Sequence, residues 1–165
     1  MARLMAMLGA FYVLMLGAAH AQTVERIDVT EFGIYTADTT RIVSAPQSTT
    51  GIAQHVSASS IKLAKATTTV PGRIGVRFGF RYRIVGEGQS VTLRRIVHIP
   101  EPGVHNPEKG IILTSEVHAD TAIGPLEIAG YQFGHDWEIV PGTWTIELWD
   151  GDRKLASQSF QVVKG

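Results

Sequence analysis

Whatever metal or proton-transfer chemistry this chain offers rests on His98, His105, His118 and His135, with Asp120 and Asp136 nearby in sequence. Imidazoles and carboxylates are the usual ligands of divalent metals, and the same pairs pass protons during hydrolysis. Such a site needs convergence. No two of these histidines are spaced i, i+2, the arrangement that aims two side chains of one strand at a common point. They would have to meet through loops at one end of the domain, and scattered surface histidines are the plainer reading. The chain has no cysteine, which removes disulfides, thiolate metal sites and a thiol nucleophile. It also lacks Gly-x-Gly-x-x-Gly, a Walker-type loop, His-Glu-x-x-His and Gly-x-Ser-x-Gly. No cofactor, no resident metal and no enzymatic activity are expected.

A second constellation is cationic. Arg77, Arg81 and Arg83 share one parity, and Arg94 follows on what reads as the partner strand. Guanidinium groups so arrayed suit a sulfated, phosphorylated or carboxylated polymer, because each presents a planar fork of donors. A solvated sheet face whose arginines pair across strands with Asp or Glu accounts for the same pattern. Three tryptophans raise a third possibility, a stacking platform for sugar rings. Trp144 shares parity with Ile146 and Leu148 and belongs to the core, while Trp137 and Trp149 fall at strand ends, where aromatics commonly close a core.

The elements that must position these residues read almost entirely as strands. Over residues 74–84, Ile74, Val76, Phe78, Phe80, Tyr82 and Ile84 alternate with Arg73, Gly75, Arg77, Gly79, Arg81 and Arg83. That period of two predicts one long strand with an apolar face and an arginine face. Gly86-Glu87-Gly88 supplies a turn, and Val91, Leu93, Val97 and Ile99 continue beyond it. A closing hairpin turns at Asp150-Gly151-Asp152, with Trp144, Ile146 and Leu148 on one face. Leu155 and Phe160 have opposite parity, so a bulge near residues 156–159 is needed to bring both inward. The same phase break separates Ile27 and Val29 from Phe32 and Ile34, with Gly33 as the natural bulge residue. Weaker strands are expected at 52–56, 61–64, 111–117 and 126–133, and loops at 36–51 and 100–110. About eight strands and no amphipathic helix argue an all-β, antiparallel, immunoglobulin-like two-sheet sandwich, with a small barrel as the alternative.

Length and charge bound the rest. The chain has 165 residues, which allows one domain. Its 15 Lys+Arg balance 15 Asp+Glu, giving no electrostatic case for nucleic acid. Arg3, an uncharged run over 4–17 and then Ala19-His20-Ala21 form a signal peptide with a small-x-small cleavage site. The apolar run is too short for a bilayer span of about 20 residues. The expected organisation is a signal peptide at 1–21 and a sandwich domain at 22–165, exported to the periplasm or beyond, with no membrane span after cleavage.

Trp137-Glu138-Ile139-Val140-Pro141-Gly142-Thr143-Trp144-Thr145-Ile146-Glu147-Leu148-Trp149-Asp150-Gly151-Asp152, closing at Phe160-Gln161-Val162, resembles the last hairpin of a bacterial exported single-domain family of unknown function. Phe32-Gly33-Ile34-Tyr35, Pro100-Glu101-Pro102-Gly103 and Asn106-Pro107 fit the same pattern. The resemblance implies an immunoglobulin-like sandwich and export, and transfers no catalytic residue.

Three functions stand open. The first is a non-catalytic exported module binding an envelope protein, an envelope polymer or an extracellular partner. The second is a small periplasmic hydrolase or metal-dependent enzyme built on the loop His and Asp residues. The third is binding of a glycan or anionic polymer on the arginine face. The signal peptide gives the first test: mass spectrometry of exported protein is expected to find Gln22 at the N-terminus, as glutamine or pyroglutamate. Intact Met1 recovered from membranes would refute cleavage after Ala21.

Overall fold

A computed structural model describes residues 22–37, 43–44, 54–55 and 61–165. The expected signal peptide at 1–21 and most of the 36–51 and 52–56 segments lie outside the described residues. In chain order the strands are β1 (Thr23–Ala37), β2 (Val43–Ser44), β3 (Gln54–His55), β4 (Ile61–Lys65), β5 (Thr69–Gly72), β6 (Arg77–Glu87) and β7 (Ser90–His98). They continue as β8 (Val104–Asn106), β9 (Gly110–Ile112), β10 (Thr114–Ala122), β11 (Leu126–Gln132), β12 (Gly142–Asp150) and β13 (Arg153–Lys164). A four-stranded sheet, β11-β6-β1-β4, packs on a five-stranded sheet, β10-β7-β12-β13-β5. Among the described residues β2–β3 and β8–β9 form two small separate ladders. The chain is an all-β immunoglobulin-like sandwich.

Alternation dictates the core. Phe78, Phe80, Tyr82 and Ile84 of β6 are buried against Trp144, Ile146 and Leu148 of β12 and Phe160 and Val162 of β13. The Trp144 indole N–H is satisfied by the Val140 carbonyl at 2.8 Å, so the largest side chain is buried without an orphaned donor.

Both phase breaks are present, each displaced from its expected residue. In β1 the extra residue is Thr30, between the pairs Val29–Tyr82 and Glu31–Arg81, and Gly33 pairs in register with Gly79. The bulge turns Ile27, Val29, Phe32 and Ile34 to one face, since each lies opposite an inward residue of β6. In the closing hairpin the extra residue is Leu155, between Leu148–Ala156 and Trp149–Lys154.

Other expectations require correction. The long strand starts at Arg77, because Gly75 has φ +86° and Ile74 and Gly75 form a turn. Ile74 is consequently exposed. β6 and β7 are consecutive but belong to different sheets, so Gly88-Gln89 carries the chain across the sandwich instead of closing a hairpin. The 100–110 loop contains β8, the 111–117 strand is split between β9 and β10, and β1 extends through Thr36 and Ala37. Among the described residues one pair, β5 with β13, is parallel.

Phe78→Ala is expected to cost about 3–5 kcal/mol, as a fully buried aromatic truncation does. Phe32→Ala, on the same inward face but 38% exposed, should cost about 1 kcal/mol or less. Urea midpoints of the two variants check this; equal losses would mean that the inward faces are misassigned.

Candidate functional site: two polar sheet faces

Antiparallel partners share a face, so register alone assembles the outer surface of the four-stranded sheet. Across β1, β6 and β11 the rows are Asp28–Arg83–Leu126, Glu31–Arg81–Ile128, Gly33–Gly79–Gly130 and Tyr35–Arg77–Gln132. The glycine row is a close-approach constraint: a Cβ on Gly79 would lie 2.1 Å from the Ala129 carbonyl oxygen. Arg77 donates from Nε to Gln132 at 3.1 Å, and burial lowers its pKa. Arg81 is 21% exposed, lies 3.4 Å from Glu31 and donates to the Ile61 carbonyl. An open cleft of about 320 Å³ is lined by Asp28, Thr30, Glu31, Arg81, Arg83 and Leu126. Within it the two carboxylates offset the two guanidiniums.

Arg94 does not join this face. It lies on β7, in the other sheet, and its guanidinium stands 5.2 Å from the Trp149 ring centroid. The partner-strand assignment fails because parity reports a face but not a neighbour. Lys154 lies 5.4 Å from the same ring, so Trp149 is flanked by cations.

The outer surface of the five-stranded sheet has rows His118–Arg94–Trp149–Lys154 and Glu116–Ile96–Glu147–Ser157. Glu147, nearly buried, lies 3.0 Å from Lys154 Nζ, accepts from Trp149 Nε1 at 2.9 Å and lies 3.2 Å from His98 Nε2. Burial by itself would raise the Glu147 carboxyl; hydrogen bonds from Lys154, His98 and Trp149 outweigh it and the net shift is downward.

The four histidines occupy separate places. His98 and His118 share this outer face, four residues apart in strand register, since His118 lies opposite Arg94. His118 Nε2 lies 2.8 Å from Glu116. His105 is on β8, and His135 precedes a 3₁₀ turn, Asp136–Glu138. His135 Nδ1 lies 3.1 Å from Glu138, whose fully buried carboxylate also accepts the Gly134 N–H at 2.7 Å. The His135 ring stacks on Trp137 at 5.0 Å. Among the described residues no group of three or more His, Asp or Glu is placed to hold a metal ion. No helix among them is long and apolar enough to cross a membrane.

Sequence reasoning passed over the carboxylates that organise these faces, Glu31, Glu138 and Glu147. For Glu147 a signal existed, because it shares the parity of Trp149 on β12. It also passed over Arg95, which points inward beside Tyr82; burial lowers the Arg95 pKa and pushes the Tyr82 phenol up to about 12.

A family model described as a domain of unknown function, DUF3859, matches residues 23–162. Among solved structures the chain is similar to an immunoglobulin-like protein from Pseudomonas aeruginosa, with a TM-score of 0.61 and 26% identity, covering 89% of this chain and 100% of that one. No curated protein matches. The expected fold and unknown-function family agree with these findings.

The Glu147 cluster makes a pH-dependent contribution. A carboxyl whose folded pKa lies below its unfolded value stabilises the fold above the ordinary carboxylate range and loses that contribution as pH falls through the folded value. Glu147→Gln should therefore cost about 1–2 kcal/mol near neutrality, and the difference from the parent should close below about pH 4. Chemical denaturation at pH 7 and pH 3 measures both; a gap that widens in acid would reverse the assignment.

Proposed function

This chain belongs to the DUF3859 family, a domain of unknown function, and from that premise we propose that it is a non-catalytic, exported module that binds a protein of the envelope or the exterior. The supporting observation is the unequal protection of its sheet edges. β4 is short and carries Lys62 and Lys65, and β5 is short and contains Pro71, the usual devices against strand pairing. β10 and β11, the edges on the opposite side of the sandwich, are longer and contain neither Pro nor Lys. Paired side chains on the broad faces support the same reading. His98 of β7 lies against Glu147 of β12 and Arg81 of β6 against Glu31 of β1, pairs that tie neighbouring strands, while His118 and His135 each lie against a carboxylate of their own segment. The acidic groups in the cleft beside Arg81 and Arg83 weigh against a polyanion.

Residues 22–165, immobilised as bait for envelope extract and crosslinked, are expected to retain a defined protein that is competed by free domain. Retention of nothing competable, together with hydrolysis of a small ester, phosphate or peptide substrate that disappears in a His135→Ala variant, would replace this reading with the enzymatic one.

A further inference from the structure

We propose that the Arg95 guanidinium, set between the two sheets, binds a single carboxylate group of a ligand on the β10 and β11 side of the sandwich. This goes beyond the binding-module reading and stands or falls separately from it.

Placement comes first. Register puts Arg95 on the inner face of β7, in one row with Val117 of β10 and Leu148 of β12, both buried. Its neighbours of the same parity, Leu93 and Val97, are core residues. A guanidinium stays protonated, so a full positive charge is held between apolar layers. The arginines of the outer faces spend donors within the fold: Arg77 on Gln132, Arg81 on the Ile61 carbonyl, Arg94 on the Gly151 carbonyl. Among the described residues the Arg95 guanidinium makes no hydrogen bond and no ion pair, and its Nε is shut off from solvent without an acceptor. The residue as a whole is partly exposed. With Nε shielded, solvent meets the fork at its two terminal nitrogens. A donor pair and an uncompensated charge therefore stand at the bottom of the gap between the sheets.

The facing sheet does not neutralise that charge. Tyr82 of β6 acts on Arg95, but burial pushes its phenol up to about 12, so it is uncharged near neutral pH. Its hydroxyl is hydrogen-bonded with Thr121. Glu127 lies opposite Tyr82 on β11 and acts on that phenol, without pairing with Arg95. A buried charge without a counter-ion is costly, and a ligand that supplies one removes the cost. One guanidinium is neutralised by a monoanion, whereas a phosphate dianion would leave excess charge facing Glu127. The parallel N–H pair also matches the two oxygens of a carboxylate. Entry is over Ala119, the smallest inward residue of β10 and a partly exposed one, two positions along the edge strand from Val117.

The probes are acetate, inorganic phosphate, and a capped alanine peptide carrying one glutamate or one glutamine, each added to the folded protein at matched ionic strength. The shielded Arg95 Nε–H should give its own NMR signal. Acetate or the glutamate peptide is expected to move that signal saturably, with phosphate and the glutamine peptide at least about tenfold weaker. Saturation by acetate assigns a free organic acid, and saturation by the peptide alone assigns an acidic side chain of a partner. Arg95→Lys keeps the charge and loses the fork, so binding should weaken about tenfold. Arg95→Met should abolish the response read at the Val117 amide. In chloride its urea midpoint should equal or exceed that of the parent, because an uncompensated buried charge has been removed. An Arg95 signal that neither acetate nor the glutamate peptide moves would overturn the site. So would an equal response to phosphate or to the glutamine peptide. A midpoint for Arg95→Met well below the parent's would overturn it too, by showing that the fold already compensates the charge. None of these readouts involves an envelope partner, so the module reading is tested apart from them.

Discussion

Phe78 joins the two sheets, and the placement of nearly everything else depends on it. Its ring centroid lies 5.2 Å from Phe160 and 6.0 Å from Trp144, both of the five-stranded sheet. Phe133 and Tyr131 approach it at 5.4 and 6.2 Å from the end of β11. Edge-on and tilted geometries of this kind add to the area buried. Once Phe78 is inside, the period of two places Phe80, Tyr82 and Ile84 inside and Arg77, Arg81 and Arg83 outside. A slip of one residue would exchange the two sets and bury guanidiniums without partners, which is why the register has no near competitor.

The same constraint explains the bulges. β1 must keep Ile27 opposite Ile84 and Ile34 opposite Phe78, yet its sequence contains one residue too many between them. Thr30 absorbs the excess. Leu155 performs the same role in β13, allowing Phe160 to reach Trp144. A second tie reinforces the packing: Arg153, at the start of β13, donates to the Val24 carbonyl of β1 and so links the sheets by a polar contact beside the closing turn.

These inward faces were readable from the sequence because alternation reports burial directly. Residues such as Phe80, Trp144 and Ile146 could be placed without knowing their neighbours. Pairing could not be read the same way. Nothing local to Arg94 says that β7 crosses to the other sheet, and nothing local to Arg81 says that Glu31 will lie beside it. Those facts depend on which strands meet across long separations, and a turn such as Gly88-Gln89 serves a hairpin or a crossover equally well. The start of β6 was misread because Ile74 and Val76 extend the apolar alternation into a segment where the Gly75 backbone leaves the extended region. The arginine face was legible as a face, but its half-buried packing was not, since that depends on Gln132 and Ile61 from strands remote in sequence.

A sandwich, unlike a closed barrel, must leave edges, and the core decides how each edge is presented. Ser115, Val117 and Thr121 are buried on the inner side of β10. Their inward parity is tied to that of Leu93 and Val97 on β7 through the same register. With that parity fixed, the alternation of the ladder leaves no freedom: Glu116, His118 and Asp120 must direct both their side chains to the outer face and their backbone groups to the rim. The acidic character of the rim and its hydrogen-bonding phase are thus consequences of the packing between the sheets. A substitution that shifted β10 by one residue would put Glu116 and Asp120 between the sheets and bring Val117 to the surface, a state opposed by the desolvation of two carboxylates. The outer face of β10 is therefore held in phase by the packing between the sheets.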